Sequence, residues 1–339
     1  MVEAAQAYLA RAIGESTRGT YRSAVNSLME FCVRHGLRGE LPVSTDTLCL
    51  WMADAAQRHI RFSSIRVYLH GIATSHVELG HANPIIDKPV IWRLLKGIKR
   101  TQGAGVTAQR LPMTTALLTK LEPHQKLLTL EGLCIRAAMW AGTCGLLRSG
   151  EFAHRNRHSA PPLRRHLSFH KSDDSLVPED SWRSATYMKL RVTKSKTDPF
   201  RVGTDVVVSN DKAIAAMCDY LQRRGRVEAD DYLFTLDRRN CLTVTQLVHQ
   251  TQALLNAASV INARLYKGHS FRKGGATSLH EAGMPDSLIR TMGRWKSFAF
   301  ATYVHTSNHL VVKAGLAMTA ARVIARAVSF DPNNVRNWD

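Results

Sequence analysis

Cysteine is sparse and unpaired in this sequence: Cys32, Cys49, Cys134, Cys144, Cys218 and Cys241 lie far apart, and no two form a CxxC. That spacing excludes the common zinc motifs and a dense disulfide framework, and leaves buried free thiols as the expectation. No apolar run approaches the roughly eighteen residues of a membrane helix, which argues against a membrane partner. The opening stretch MVEAAQAYLARAIGEST puts small and acidic residues where an export signal carries a basic and then an apolar segment, so an intracellular protein is expected. No GxxxxGKS or GxxxxGKT loop occurs, which excludes a nucleotide-driven motor of that type. Acidic residues are also few, with 27 Asp plus Glu against 46 Lys plus Arg and a formal net charge of +19. An excess of this size attracts polyanions over long range, and a nucleic acid is the natural partner.

A chain of 339 residues is long for one globular domain, and two joined by a connection are expected. Residues 1–100 read as a set of helices. Ser16 or Thr17 caps one with Tyr21, Ala24, Val25, Leu28, Phe31 and Cys32 on one face, and Ser44 caps a second with Leu48, Trp51, Met52 and Ala55. A third opens at Ser63 or Ser64 and turns Ile65, Tyr68, Leu69, Ile72 and Leu79 inward. A fourth follows Pro89, with Leu94, Leu95 and Ile98 inward, and Arg93, Lys96, Lys99 and Arg100 on its outside and end, a distribution suited to phosphate contacts. Residues 101–110, TQGAGVTAQR, lack periodicity and read as the connection. In 111–328, Thr114 caps a short helix and an apolar helix spans about 130–141. Short alternating segments at 166–170, 186–193 and 201–208 predict a small antiparallel sheet. Helical patterns then cover about 211–224, 245–258, 270–282, 286–293, 298–305 and 309–328, ahead of a polar tail over 329–339.

The sharpest local pattern is GHSFRKGGAT. It sets His269 and Arg272 three apart on the first turn of a helix, where both side chains share a face and backbone N–H groups favour an anion. Downstream, MGRWKSFAFATYVH places Trp295 eight residues before Tyr303. Upstream stand GLLRSGEF, with Arg148 and Glu151, and the hairpin-like TKSKTDPFRVGT, with Lys194 and Lys196. His154, His158 and His305 have no third and fourth ligand spaced to join them in a metal site.

In this order the motifs resemble the tyrosine recombinase (phage-integrase-like) family. The wording of GHSFRKGGAT, SKTDPF and GRWKSFAFATY is similar to eukaryotic mobile-element recombinases of the Crypton and DIRS type. The resemblance covers residues 148–303 by motif and the N-terminal helices by architecture. It implies a mainly α, two-domain fold: a helical core-binding domain that clamps DNA, and an α+β catalytic domain with a small antiparallel sheet. It implies Arg148, Lys196, His269, Arg272, Trp295 and Tyr303 as the catalytic set, with Glu151 in support and Lys194 as the alternative hairpin lysine. Tyr303 would form a 3′-phosphotyrosine bond with double-stranded DNA, with no metal, ATP or other cofactor, for recombination, integration or transposition. Two protomers per site and a tetrameric synapse are implied, in the nucleus if the host is eukaryotic. The C-terminal helix would dock in cis or on a neighbouring protomer. A type IB topoisomerase and a non-catalytic DNA-binding protein derived from a mobile element are the alternatives.

Two planar guanidinium forks suit this chemistry because attack on a phosphodiester builds negative charge on its nonbridging oxygens. A tyrosine of ordinary pKa, about 10, also needs cationic neighbours and a proton acceptor, for which His269 is the candidate.

Overall fold

The computed structural model describes residues 2–103, 109–126, 128–156, 159–195, 198, 200–237, 240–296, 301 and 312. The chain divides into two units, Met1–Gln109 and Arg110–Asp339.

The first unit is helical: α1 (Val2–Ala12), α2 (Glu15–Arg34), α3 (Thr45–Gln57), α4 (Phe62–Glu78) and α5 (Pro89–Gln102). Apolar residues recurring every three or four positions bury one stripe of each of α2 to α5. Leu28 and Phe31, Leu48 and Trp51, Ile65 and Leu69, and Ile91 and Leu95 meet in one core. Ser44 caps α3 as its position predicts, its side chain accepting from the Thr47 N–H. The caps expected on α2 and α4 are replaced: α2 starts after Gly14 and α4 after Arg61, neither with a side-chain cap. Leu79, expected inward, falls just past the end of α4 and is exposed, and Leu94 is only half-buried. Helix α5 runs two residues into the stretch read as a connection. The Gln102 side chain accepts from the Phe62 N–H and donates to the Ile60 carbonyl, which ties this end of α5 back onto α4. Residues 104–108 lie outside the described residues.

The second unit begins with α6 (Thr115–Leu121), capped by Thr114, and the buried helix α7 (Leu130–Cys144), followed by the single-turn α8 (Ser149–Phe152). Strands β1 (Leu167–His170), β2 (Tyr187–Val192) and β3 (Thr204–Val208) then form an antiparallel sheet in sequence order, with Leu190 opposite both Leu167 and Val206. Alternation along β2 buries Met188, Leu190 and Val192 and leaves Tyr187, Lys189 and Arg191 half-buried, as a two-residue period requires. Helices α9 (Asp211–Arg224), α10 (Val244–Ala257), α11 (His269–Glu281) and α12 (Asp286–Gly293) complete the described α-helices, and α7 packs at the centre against α9 and α11. Segments 298–305 and 309–328 lie outside the described residues apart from Ala301 and Val312, as does the tail.

The six cysteines are free thiols. Cys32, Cys134 and Cys218 are buried, whereas Cys49, Cys144 and Cys241 are half-buried.

Glycine sets how closely α11 sits in the second unit. A Cβ on Gly274 would land on the Met113 carbonyl, and one on Gly275 on the Thr143 carbonyl. The helix that carries His269 and Arg272 is thus held backbone-to-backbone against the 110–113 segment and the end of α7.

Candidate active site

Helix α7 ends at Gly145, and the chain reverses through Leu146, a buried residue at φ +47. This turn delivers Arg148 to the start of α8. Glu151, three residues on, accepts the Arg148 backbone N–H on Oε2 at 2.9 Å and Arg148 Nη1 on Oε1 at 2.8 Å. The carboxylate therefore caps α8 and grips the Arg148 side chain together. Gly268 brings α11 to the same place: a Cβ there would sit 2.5 Å from Ser149 Oγ. The first turn of α11, with His269 and Arg272, is thereby set against the first turn of α8.

Arg272 is fully buried. Its Nη1 donates to the Leu146 carbonyl at 2.6 Å and its Nη2 to the Gly293 carbonyl, so one guanidinium joins the turn after α7 to the end of α12. The Trp295 ring lies 4.2 Å from its central carbon, a cation–π contact within a small apolar cluster of Leu146, Ala276 and Ile289. Trp295 therefore serves both as core and as the surface on which Arg272 rests.

His269 is half-buried, and its Nδ1 is buried without a hydrogen-bond partner among the described residues. Burial, then the charges of Arg110, Arg155, Arg272 and Arg148, push the imidazole below its ordinary pKa. Among the described residues the site is strongly cationic with one buried carboxylate, Glu151, which also accepts from Arg294 Nη2 at 2.7 Å.

Of the residues singled out in the sequence, Arg148, Glu151, His269, Arg272 and Trp295 are thus brought together. Lys196 and Tyr303 lie outside the described residues. Lys194, the alternative, is half-buried in the β2–β3 connection. Ser195 and Asp198 of the same connection line a cleft of about 530 Å³ with Arg294 and Trp295, so the hairpin reaches the edge of the site. Arg93, Lys96, Lys99 and Arg100 are exposed on α5 in the first unit. The sequence reading passed over Arg294, Arg110 and Arg155. The only signal for Arg294 was its place beside Trp295, and Arg110 and Arg155 sit in segments without periodicity.

No protein-family model and no curated protein matches this sequence. Among solved structures it is similar to the Tn1549 transposon integrase in complex with transposon right end DNA, at 12% identity and a TM-score of 0.55 over 91% of this chain and 95% of that one. It is also similar to a lambda integrase dimer bound to a COC′ core site, at 15% identity and a TM-score of 0.51 over 90% and 94%. A third is the XerH site-specific recombinase bound to palindromic difH substrate, at 13% identity and a TM-score of 0.51 over 82% of this chain and 70% of that one. Identities this low speak to architecture: the chain has the mainly helical tyrosine-recombinase fold with its small antiparallel sheet.

Proposed function

We propose that this protein is a tyrosine site-specific recombinase that cuts and rejoins double-stranded DNA. The observation that carries the proposal is the meeting of Arg148, Glu151, His269, Arg272 and Trp295 at one point of the second unit, from three separate stretches of sequence. The DNA in the three similar structures supports the same reading, with the first unit as the helical half of a clamp. The motif wording supports an origin in a mobile element.

In this reading Arg148 and Arg272 receive the nonbridging oxygens of the scissile phosphate, where charge builds as the reaction proceeds. The Tyr303 hydroxyl oxygen attacks phosphorus and gives its proton to neutral His269. The phosphorus–oxygen bond to the deoxyribose 5′ carbon breaks, and that oxygen takes a proton from the hairpin lysine, Lys196 or else Lys194. The resulting 3′-phosphotyrosine conserves the phosphodiester, so a 5′-hydroxyl of a partner duplex reverses the steps and joins the strand without ATP. Exchange between two duplexes calls for a pair of protomers on each site.

A duplex nicked just beyond the cleavage point tests this, because the short fragment that carries the freed 5′-hydroxyl diffuses away and strands the intermediate. The wild-type protein is expected to yield a protease-sensitive covalent adduct on such DNA, and paired intact sites are expected to yield recombined product. An adduct with relaxation of supercoils but no recombined product indicates a topoisomerase instead. Saturated binding with no adduct leaves a DNA-binding protein without chemistry.

The pH profile follows from His269. A group that must accept a proton works only when neutral, and burial with four arginines favours that state. The acid limb of adduct formation per encounter is therefore expected to be centred below pH of about 6.5, the ordinary imidazole value. Arg155→Gln removes one exposed cation and is expected to move the acid limb upward. An acid limb already centred above pH of about 7 in the wild type contradicts the assignment.

A further inference from the structure

Arg294 has no part in the mechanism above, yet it holds the other side of the carboxylate that grips Arg148. It follows α12 in a left-handed conformation, φ +56 and ψ +41, which turns its side chain back toward α8 across more than a hundred residues of sequence. Its side chain is 15% exposed and that of Glu151 3%. Glu151 thus receives three donors: Arg148 Nη1 on Oε1, and the Arg148 N–H with Arg294 Nη2 on Oε2. Arg294 Nη2 also lies 3.5 Å from the Leu146 carbonyl that anchors Arg272.

A guanidinium beside a lone buried carboxylate pairs with it fork to fork, two N–H groups on two oxygens. An Arg148 held that way would turn its fork toward Glu151 rather than toward a phosphate, with its charge neutralised in place. Here Oε2 is already occupied by Arg294 and the cap of α8, so Arg148 makes a single side-chain contact, through Nη1 on Oε1. Two guanidinium groups on one carboxylate also leave an excess positive charge at the place where phosphate charge would develop.

We propose that Arg294 is a positioning residue for strand cleavage: by occupying Glu151 it limits the Arg148 guanidinium to one contact with that carboxylate and keeps the rest of its fork turned to the scissile phosphate. The role rests on the recombinase reading, but the geometry behind it can be tested separately. In a crystal structure of Arg294→Met, the Arg148 guanidinium is expected to close onto both oxygens of Glu151, and an unchanged single guanidinium contact overturns the proposal whatever the protein's activity. On nicked DNA at saturation, the same variant is expected to form adduct on the order of 100-fold more slowly, the scale of a misplaced reacting group, with DNA affinity held within about threefold. Arg294→Lys, which keeps a donor for Oε2, is expected to recover most of that loss. A pair that merely staples α12 to α8 would instead lower thermal stability while leaving the rate at saturation intact, and that pattern also overturns it.

Glu151→Gln supplies a background that does not depend on how well the single variant folds. With the carboxylate gone, adding Arg294→Met is expected to change the rate less than about twofold, because Arg294 acts through Glu151. Multiplying losses overturn the proposal. A wild-type protein that forms no adduct sinks the recombinase reading, while the crystal structure still decides the geometry.

Discussion

Tyr303→Phe is expected to form no covalent adduct on a nicked duplex while binding that duplex about as tightly as the wild type. The change removes one oxygen, the one proposed to attack phosphorus, whereas most of the affinity for DNA comes from cations meeting phosphates. The other tyrosines described in the second unit are poor substitutes. Tyr220 is fully buried, with its hydroxyl tied to Leu233 and Thr235, and burial pushes its pKa well above the ordinary value. Tyr266 is buried, with its pKa raised by that burial. The Tyr187 hydroxyl donates to Asp174, a bond that raises its pKa and draws it away from phenolate character. Tyr232 is exposed beside Leu163 on an isolated bridge. Gel-shift affinity with a denaturing-gel assay for adduct separates the two effects. Adduct from the Phe variant at the wild-type yield would move the nucleophile to another residue and remove the reason for assigning His269 as its proton acceptor.

Much of this architecture is legible from one sequence because it rests on local rules. Ser44 and Thr114 each sit one residue before a helix whose apolar stripe follows within the first turn, and both cap helices there. The sheet shows itself in the alternation of β2, and the first turn of α11 in the Gly268–His269 pair. Where the reading falls short, the deciding contact is distant. Residues 101 and 102 resemble a connection until Gln102 is seen bonded to Ile60 and Phe62, some forty residues earlier. Arg294 looks like one more surface cation at a helix end. Its role depends on a left-handed backbone and on Glu151, and neither has a signature in local periodicity. Arg272 is similar, since a charged residue on a first helical turn is ordinarily exposed and only the packing of α7, α11 and α12 makes it the most enclosed cation of the site.

That enclosure gives Arg272 an expected effect on both stability and chemistry, and two variants can divide them. Arg272→Ala leaves the Gly293 carbonyl without its donor, leaves the Leu146 carbonyl only the 3.5 Å contact from Arg294 Nη2, and opens a cavity under Trp295. Each orphaned buried acceptor costs about 1–3 kcal/mol, and at about 2–4 °C per kcal/mol for a domain of this size the melting temperature should fall on the order of 10 °C. Arg272→Lys keeps the charge, one donor and most of the stem, so its melting temperature should fall by less than half as much. A lysine still cannot hold two carbonyls and keep further N–H groups for a phosphate together. Its rate of adduct formation at saturating DNA is therefore expected to drop about 100- to 1,000-fold, the usual cost of losing a donor aimed at developing charge. The comparison is informative because the two quantities part company in the lysine variant: stability largely kept, chemistry largely lost. If Arg272→Lys cuts nicked DNA at the wild-type rate, the guanidinium is a brace between α7 and α12 and not a ligand of the scissile phosphate. The catalytic reading would then have to stand on Arg148 and His269 alone.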